Sequence, residues 1–416
     1  MQDNEKKPAL RFKGFTDPWE QRKLTNLCEK FTDGDWIEAK DQSDSGVRLV
    51  QTGNVGVTEY LDKPNNKKWI SFETFEQLHC EEVYPGDILI SRLPEPAGRA
   101  CIMPNLGTKM ITAVDCTIVR PNAVTSTRFL LQYLSSQAYF DAVNTCLAGG
   151  TRQRISRGNL AQFNVPIPSS KIEQEKIGEV LEKLDTLITL HQRKYEKLVN
   201  IKKSMLDKMF PPNGASVPEI RFKGFTDPWE QRKLSDIVEK VTEKNAGLQY
   251  IETFTNSAEF GIISQRDFFD HDISKIGSLD GYYVVHNEDF VYNPRISVTA
   301  PVGPINRNKL GRTGVMSPLY TVFRPHDIDT TYLEHFFKSG YWHSFMNFNG
   351  DSGARSDRFS IKDSVFFEMP IPTPDIEEQK KIGEFLTQLD TLITLHQRKL
   401  EKLQNIKKSC LEKMFV

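Results

Sequence analysis

Apolar residues recur at alternating steps of four and three residues along two long stretches of this 416-residue chain. The first stretch runs from Ser170 to Phe210, and the second begins at Asp375. This heptad spacing predicts two long α-helices, each with one narrow apolar stripe. At about 1.5 Å per residue, the first helix is about 60 Å long. The predicted stripe consists of Ile177, Leu181, Leu184, Ile188 and His191 in the first helix and of Ile382, Leu386, Leu389, Ile393 and His396 in the second.

Local signals mark the ends of these helices. Ser170 precedes Glu173 by three residues, and Asp375 precedes Glu378 at the same spacing. Each pair predicts a capping box, in which the two side chains satisfy the first free N–H groups of a helix. Pro211 and the next proline end the first helix, because proline cannot continue the backbone hydrogen bonds.

So narrow an apolar stripe is not expected to be buried against a globular domain alone. It is typical of a helix that packs against a partner helix. We therefore expect the two helices to pack against each other, in opposite directions, as an intramolecular coiled coil. His191 and His396 are interpreted as a buried polar pair that fixes the register of this coiled coil. Lys202 and Lys407 also fall on the stripes, and the isoleucines just before them are expected to replace them at the contact.

The chain is an internal repeat with a period of about half its length. The segment Pro8–Leu24 (PALRFKGFTDPWEQRKL) returns as Pro218–Leu234 (PEIRFKGFTDPWEQRKL), and Leu184–Lys194 (LDTLITLHQRK) returns unchanged as Leu389–Lys399. Each repeat therefore has a lead-in segment, a variable globular stretch and a helix. The predicted boundaries are a first domain at 1–168, a helix at 169–210, a linker at 211–217, a second domain at 218–373 and a helix at 374–416.

The two globular stretches share a skeleton of short strands and one amphipathic helix. The strands predicted near the end of each domain are Val114–Arg120 with Phe163–Ile167 and Met316–Arg324 with Phe367–Ile371, and the helices are Ser126–Val143 and Thr330–Phe348. Residues 30–85 and 240–285 carry no periodicity that assigns them. The predicted fold class is α+β or α/β, with two globular domains, an antiparallel pair of long helices and a pseudo-two-fold repeat.

Composition narrows the function. Lysine and arginine number 54 against 55 acids, so any nucleic-acid-binding face must be local. No apolar run approaches the roughly 20 residues that a membrane span needs, and the N-terminus has no signal-peptide core. The six cysteines form no CxxC pair, which favours reduced thiols in a cytoplasmic protein and no metal site.

Catalytic signatures are absent from the sequence. There is no G-x-x-x-x-G-K-[ST] phosphate loop, and the eight histidines fall at no metal-ligand spacing. Asp17-Pro18-Trp19 lacks the second proline of the turn used by amino-methyltransferases, and packing of Trp19 explains it better. We therefore predict no catalytic residue, no metal and no cofactor bound by this chain.

A Gly/Arg-rich loop follows the amphipathic helix of each domain. The two loop sequences align without gaps, and Arg154 aligns with Arg358. Glycine lets the backbone approach a phosphate, and arginine forks fit phosphates and guanine edges. The alternative is a solvated arginine loop, but its repetition in two diverged domains favours nucleic acid. The predicted DNA-binding residues are Arg152, Arg154, Arg157, Arg355, Arg358 and Lys362, with Arg92 and Arg295 as further candidates.

The doubled pattern resembles the specificity subunits of Type I restriction–modification systems. The resemblance rests on the duplicated RFKGFTDPWEQRKL segment, the Pro-Ile-Pro strand ends at 166–168 and 370–372, the EQ-x-x-I helix starts at Glu173 and Glu378, and the later Leu-Asp pairs. It implies two target-recognition domains that each read one half of an asymmetric bipartite site in duplex DNA. It also implies helices that set the gap between the halves and dock two modification subunits.

The same resemblance implies that catalysis lies in partners. The modification subunits are expected to use S-adenosylmethionine to methylate adenine at N6, and restriction subunits with ATP and Mg²⁺ are expected to cleave. Two other readings stay open at this point. One is a fragment of a DNA methyltransferase or nuclease, and the other is a coiled-coil scaffold whose globular heads bind protein.

Overall fold

The computed structural model describes residues 7–150, 153–212, 214–269, 276–351 and 357–415. The chain divides into two compact units. Unit 1 comprises residues 1–193 with 397–416, and unit 2 comprises residues 194–396. Both long helices are divided between the units, so each unit contains one globular domain and one part of each helix. The domain boundaries predicted from the sequence stay predictions.

In the part of unit 1 that the structure describes, the globular domain contains three small sheets. Its strands are β1 (Glu20–Lys23), β2 (Cys28–Asp33), β3 (Gln42–Ser43), β4 (Val47–Val50), β5 (Lys68–Ile70), β6 (Ile88–Ser91), β7 (Ala100–Ile102), β8 (Met110–Thr112), β9 (Cys116–Pro121) and β10 (Asn164–Ile167). They form an antiparallel sheet ordered β2-β9-β6-β7, a mixed sheet ordered β3-β5-β4-β8, and the pair β1-β10. Its helices are α1 (Phe72–Gln77), α2 (Thr127–Tyr133), α3 (Gln137–Thr145), α4 (Arg157–Gln162) and the start of α5 (Lys171–Lys208).

Unit 2 repeats the central sheet with different surroundings. Its strands are β11 (Glu230–Lys233), β12 (Val238–Lys240), β13 (Phe254–Ser257), β14 (Gly261–Ser264), β15 (Tyr283–Val285), β16 (Phe290–Tyr292), β17 (Ile305–Arg307), β18 (Gly314–Met316), β19 (Thr321–Pro325) and β20 (Pro370–Thr373). The four-stranded sheet is ordered β12-β19-β16-β17, and the pairs are β13-β14, β15-β18 and β11-β20. Its helices are α6 (Gln265–Phe269), α7 (Thr330–Lys338), α8 (Tyr341–Asn349), α9 (Asp363–Phe366) and the start of α10 (Ile376–Met414).

Two details of the predicted skeleton are wrong. Each single amphipathic helix is two helices, because Ser136 starts α3 by accepting a hydrogen bond from the Tyr139 N–H at 3.2 Å, and Ser339-Gly340 separates α7 from α8. The strand predicted from Met316 is interrupted by a turn before β19 begins at Thr321. A helix pair with α+β domains nevertheless confirms the predicted fold class.

The two long helices run in opposite directions within each unit. In unit 1 the start of α5 packs with the end of α10, and both enter the hydrophobic core of the globular domain. In unit 2 the roles are exchanged, because the end of α5 packs with the start of α10 in that domain's core. This arrangement confirms the antiparallel coiled coil and adds a feature that the stripe did not predict: each helix is also packed against a globular domain.

Each helix ends in a Met-Phe pair that is buried in the unit where it terminates. Phe415 packs on the rings of Trp19, Phe129 and Tyr133 in unit 1, with ring centroids 5.3–6.4 Å apart. Phe210 occupies the equivalent position in unit 2, against Tyr332 and Phe336 at 5.4 and 5.8 Å. Each domain core is therefore completed by the helix that began in the other repeat.

The predicted stripe residues lie in these cores or beside them. Ile177, Leu181 and His191 are buried in unit 1, and Ile382, Leu386 and Leu389 are buried in unit 2. The remaining predicted members are half-buried, and these are Leu184, Ile188, Ile393 and His396. The register role of His191 and His396 stays a prediction.

The lysines on the stripes keep their places, so the expected replacement by isoleucine is wrong for Ile406, although Ile201 does pack against the core of unit 2. Lys202 forms an ion pair with Asp390 in unit 2, and Lys407 forms one with Asp185 in unit 1. Both lysines are half-buried, as is Ile201, whereas Ile406 is exposed. An aspartate on the opposite helix makes the lysine acceptable there, because its charge is paired while its aliphatic stem stays packed.

The predicted capping boxes are also corrected. Asp375 does cap its helix, with its carboxylate accepting from the N–H groups of Glu377 and Glu378 at 2.9 and 3.1 Å. The glutamates at the third position serve the lead-in segments instead: Glu173 binds Arg11, and Glu378 binds Arg221.

The glutamine that follows each of these glutamates binds the N-terminus of a helix in the globular domain. Gln174 Oε1 accepts from the Ser126 N–H at 2.8 Å, and Gln379 Oε1 accepts from the Asp329 N–H at 2.9 Å. Ser126 and Asp329 are the N-cap residues of α2 and α7. The Glu-Gln pair at each long-helix start therefore orients both the lead-in segment and the domain.

Candidate nucleic-acid interface

The backbone places the two Gly/Arg-rich loops equivalently in their domains. The Ile155 N–H donates to the Arg92 carbonyl at 3.2 Å in unit 1, and the Phe359 N–H donates to the Pro294 carbonyl at 2.8 Å in unit 2. In both units, therefore, the loop lies beside the segment that follows the central strand β6 or β16. This pairing supports the alignment of Arg154 with Arg358 that the sequence suggested.

Unit 1 gathers three predicted arginines around two aspartates. Arg154 lies 3.7 Å from the carboxylate of Asp115, and Arg157 lies 3.7 Å from that of Asp33. Arg92 reaches between them, 3.5 Å from Asp33 and 3.9 Å from Asp115. Three guanidiniums face two carboxylates, so the cluster keeps a net positive charge.

Exposure separates the roles of these arginines. The side chains of Arg154 and Arg157 are 61% and 47% exposed, whereas that of Arg92 is 9% exposed. Arg92 also donates to the carbonyl of Val114 at 2.6 Å. Its contacts therefore hold the two aspartates in place, and the aspartates orient the exposed arginines.

The predicted residues of unit 2 form a looser group. Arg295 and Arg358 are partners in an antiparallel backbone bridge, which brings the two arginines to one place on the surface. Among the described residues neither guanidinium has an ion-pair partner. Lys362 is exposed at the N-cap of α9, four residues after Arg358.

Arg358 also lines a groove of about 460 Å³ in unit 2. The groove walls include Tyr283, Tyr320 and Lys240, and Lys240 forms an ion pair with Asp363. Lys244 lies over the ring of Tyr283, 3.3 Å from its centroid. Basic side chains mixed with aromatic rings can contact both phosphates and base faces.

Sequence reasoning missed several of these residues. Lys240, Lys244 and Tyr283 lie in the stretch from 240 to 285 that no periodicity assigned, and Asp33 lies in the unassigned stretch from 30 to 85. Neither stretch carried a motif that marked these residues. Arg152 and Arg355, two predicted DNA-binding residues, lie outside the described residues.

A second feature lies on the long helices, where the unchanged 11-residue repeat presents leucines to solvent. Leu187 and Leu190 on α5 are exposed in unit 1, and Leu392 and Leu395 on α10 are exposed in unit 2, with exposed fractions between 41% and 57%. Because the residues on each helix are three apart, they lie on one helix face. The same apolar surface, here called the leucine patch, thus occurs once on each helix.

No described helix has the length and apolarity to cross a membrane. No group of three or more His, Cys, Asp or Glu side chains placed to hold a metal ion occurs in the described part of the chain.

Comparison with known proteins gives one consistent family. Residues 16–200 and 226–405 each match the family described as "Type I restriction modification DNA specificity domain". The two matches together span more than half of the chain and follow its internal repeat.

Two relatives and one solved structure are similar to this chain over much of its length. A protein assigned as the specificity subunit of the type I restriction enzyme MjaX of Methanocaldococcus jannaschii is 22% identical, over 94% of this chain and 91% of that protein. The MjaVIII specificity subunit of the same organism is 25% identical, over 59% and 60%. The crystal structure of a Type I restriction–modification S subunit from M. genitalium has a TM-score of 0.57 at 13% identity over 99% of both chains, which shows a likeness of fold.

Proposed function

Because the chain belongs to the Type I restriction–modification DNA specificity family, we propose that it is the non-catalytic subunit that chooses the DNA site of such a complex. Each globular domain acts as a target-recognition domain and reads one half of an asymmetric bipartite site in duplex DNA. The two long helices set the gap between the two halves. The complex works in the cytoplasm, where chromosomal DNA is accessible to it.

One observation carries this proposal: the two domains share one scaffold and present different residues at the same loop position. Equivalent backbone bonds hold the loops of Arg154 and Arg358. Around them, unit 1 places the aspartates Asp33 and Asp115, whereas unit 2 places Tyr283 and Tyr320. Different side chains at an equivalent surface are what two unlike half-sites require.

The arginines divide into contacting and supporting groups. Arg154, Arg157, Arg295 and Arg358, with Lys362, are proposed to contact phosphates or base edges. Arg92 is proposed to support them, because its side chain is almost buried among carboxylates and a carbonyl. Arginine at such positions can bind a guanine edge with two hydrogen bonds.

The leucine patches are proposed to dock two modification subunits. The patches are identical in sequence, so they suit two copies of one partner. Those subunits would bind S-adenosylmethionine and methylate adenine at N6, while restriction subunits would use ATP and Mg²⁺. The specificity chain itself is proposed to bind none of these cofactors.

DNA binding is tested by the affinity of the purified chain for random duplex DNA at several salt concentrations. Phosphate contacts release counterions, so affinity should fall steeply as salt rises. A chain whose heads bind only protein would show no such dependence, and that result would overturn the proposal.

Docking is tested by replacing the leucine patches with aspartate. Leu187→Asp with Leu190→Asp should remove one modification subunit from the purified complex, and Leu392→Asp with Leu395→Asp should remove the other. The exposed Lys183 of α5 provides a control through Lys183→Asp, which should leave the stoichiometry unchanged. Two modification subunits still bound to a chain altered in both patches would exclude these patches as the docking surface.

A further inference from the structure

Within the described residues, each unit contains one Lys–Asp pair that joins the two long helices. Lys407 of α10 pairs with Asp185 of α5 in unit 1, and Lys202 of α5 pairs with Asp390 of α10 in unit 2. The pairs are related by the internal repeat, since Asp185 and Asp390 belong to its unchanged Leu-Asp motif. The lysines lie on the apolar stripes, where a charged residue needs a specific partner.

The two pairs belong to one antiparallel register. Asp185 and Lys202 are 17 residues apart on α5, and Lys407 and Asp390 are also 17 residues apart on α10. A slip of seven residues would keep apolar stripes together but would place Lys202 opposite Gln397 or Gly383. It would likewise place Lys407 opposite Gln192 or Gly178. A polar pair in an apolar seam therefore selects one register.

A recognition-domain helix joins each pair. In unit 1, Gln132 of α2 donates to Asp185 Oδ2 at 2.8 Å, while Lys407 contacts Oδ1 of the same carboxylate. In unit 2, Lys338 of α7 lies 3.7 Å from Asp390 Oδ2, while Lys202 contacts Oδ1. The two domains use different residue types to reach the equivalent aspartate.

Each aspartate is thus a three-way junction of both long helices and a domain helix. The buried Met-Phe pairs hold the helix ends, and the junctions hold the domain at a second point. We expect two attachments to restrict rotation of the domain on the helices more than one attachment would. None of these junction contacts involves a residue that is proposed to bind DNA.

We propose that the junctions at Asp185 and Asp390 are gap-specificity determinants, which hold each recognition domain so that the complex rejects DNA sites with the wrong gap. The proposal rests on the function proposed above. Asp185, Lys407, Asp390 and Lys202 act as positioning residues, because none of them is proposed to touch DNA.

The experiment measures gap discrimination by the complete complex with its modification subunits. Once the bipartite site of the parent is known, adenine methylation is compared on duplexes with the parent gap and with gaps one base pair longer or shorter. Lys407→Asp places two carboxylates together and should lower the discrimination at least tenfold. The double variant that combines Lys407→Asp with Asp185→Lys restores an ion pair with the charges exchanged. The side-chain amide of Gln132 can turn its oxygen toward the new lysine. Discrimination between gap lengths should therefore return.

The adjacent Lys408 is exposed and gives a matched control, since Lys408→Asp makes the same charge change away from the junction. Discrimination unchanged by Lys407→Asp, or not restored by the exchange, would overturn the proposal. A parent complex that methylates no bipartite site would instead refute the proposed function, so the two failures are distinct. In unit 2, Lys202→Asp tests the equivalent junction, and Lys203→Asp at the adjacent exposed lysine is its control.

Discussion

The guanidinium of Arg11 donates two parallel hydrogen bonds to the carboxylate of Glu173, from Nε at 2.7 Å and from Nη2 at 2.9 Å. Arg221 makes the same bidentate contact with Glu378 at 2.8 Å for both bonds. Both carboxylates are almost completely buried. The pair joins the lead-in segment to the start of a long helix, and the neighbouring Leu10 N–H also binds the Lys413 carbonyl at 2.9 Å.

Removing one partner of this pair should be costly. Arg11→Ala leaves the carboxylate of Glu173 buried without its counter-charge, which typically costs about 3–5 kcal/mol. We expect a loss of that size in the free energy of unfolding of unit 1, measured by denaturant titration. Arg22→Ala, which breaks an exposed pair with Glu20, should cost less than about 1 kcal/mol. Equal losses for the two variants would contradict the structural role of Arg11.

The exchanged helix ends make a second prediction. Phe415→Ala should destabilise unit 1, and Phe210→Ala should destabilise unit 2, each by about 3–5 kcal/mol, because a buried ring is lost from a packed core. Hydrogen exchange should show faster opening in the unit that receives the altered ring. Phe348, which is 89% exposed, gives the control Phe348→Ala with little effect. Faster exchange confined to the opposite unit would contradict the observed packing.

The proposed DNA contacts make a third prediction. Arg154→Ala and Arg358→Ala should each weaken DNA binding and lower the slope of affinity against salt by about one. The fold should be unchanged, since both side chains are outside the cores. Arg128 is exposed and paired with Glu182 at 3.1 Å, so Arg128→Ala removes a matched charge as the control. If Arg154→Ala and Arg128→Ala weaken DNA binding by the same amount, Arg154 does not belong to the DNA-binding site.

A buried histidine in unit 2 makes a fourth prediction. His335 is packed in α7, where Nε2 meets Thr387 Oγ1 at 3.1 Å. Burial, assisted by Lys338, lowers the pKa of His335 to about 3. The unfolded chain takes up this proton near pH 6.5 and the folded protein does not, so stability is full above pH 6.5 and falls as the pH drops toward 3.

Glu334 beside it acts at lower pH. Burial alone would raise the pKa of Glu334, but Lys338, Arg307 and Lys309 lower it to about 2. Its contribution is present above about pH 4.5 and is lost below, so it stays constant between pH 6.5 and 4.5. Burial also lowers the pKa of His343, which therefore adds to the pH dependence in the same interval. Comparison of the parent with the His335→Gln variant separates the two histidines.

In that interval His335→Gln should remove a slope of about 1.4 kcal/mol per pH unit from the stability of unit 2. Denaturant titrations at several pH values measure it. An identical slope in the variant would mean that His335 is protonated in the folded protein.

Periodicity and repetition predicted the parts of this molecule that depend on local pattern. The apolar spacing that begins at Ile177 and at Ile382 predicted the two helices, because such spacing is a property of each segment alone. The repeated 11 residues predicted two related halves. The break at Ser136 was missed because serine is also compatible with a continuous helix. A sequence pattern does not show that its hydroxyl binds the Tyr139 N–H.

Contacts between distant segments were beyond the pattern. Arg11 and Glu173 are 162 residues apart, so only folding reveals that the helix-start glutamate binds the lead-in arginine. Lys407 was expected to leave the stripe because its partner, Asp185, lies on the other helix. The arginine loops were found from the sequence because glycine and arginine are distinctive, whereas Asp33, which orients Arg157, had no local signal.

We propose that one chain carries two independent readers of DNA. The most direct test replaces the unit 1 domain, approximately residues 25–165, with that of another family member and maps methylated adenines genome-wide in cells that carry the partner subunits. We expect one half of the bipartite sequence to change while the other half and the gap stay the same. A change in both halves, or methylation of a single uninterrupted sequence, would contradict it.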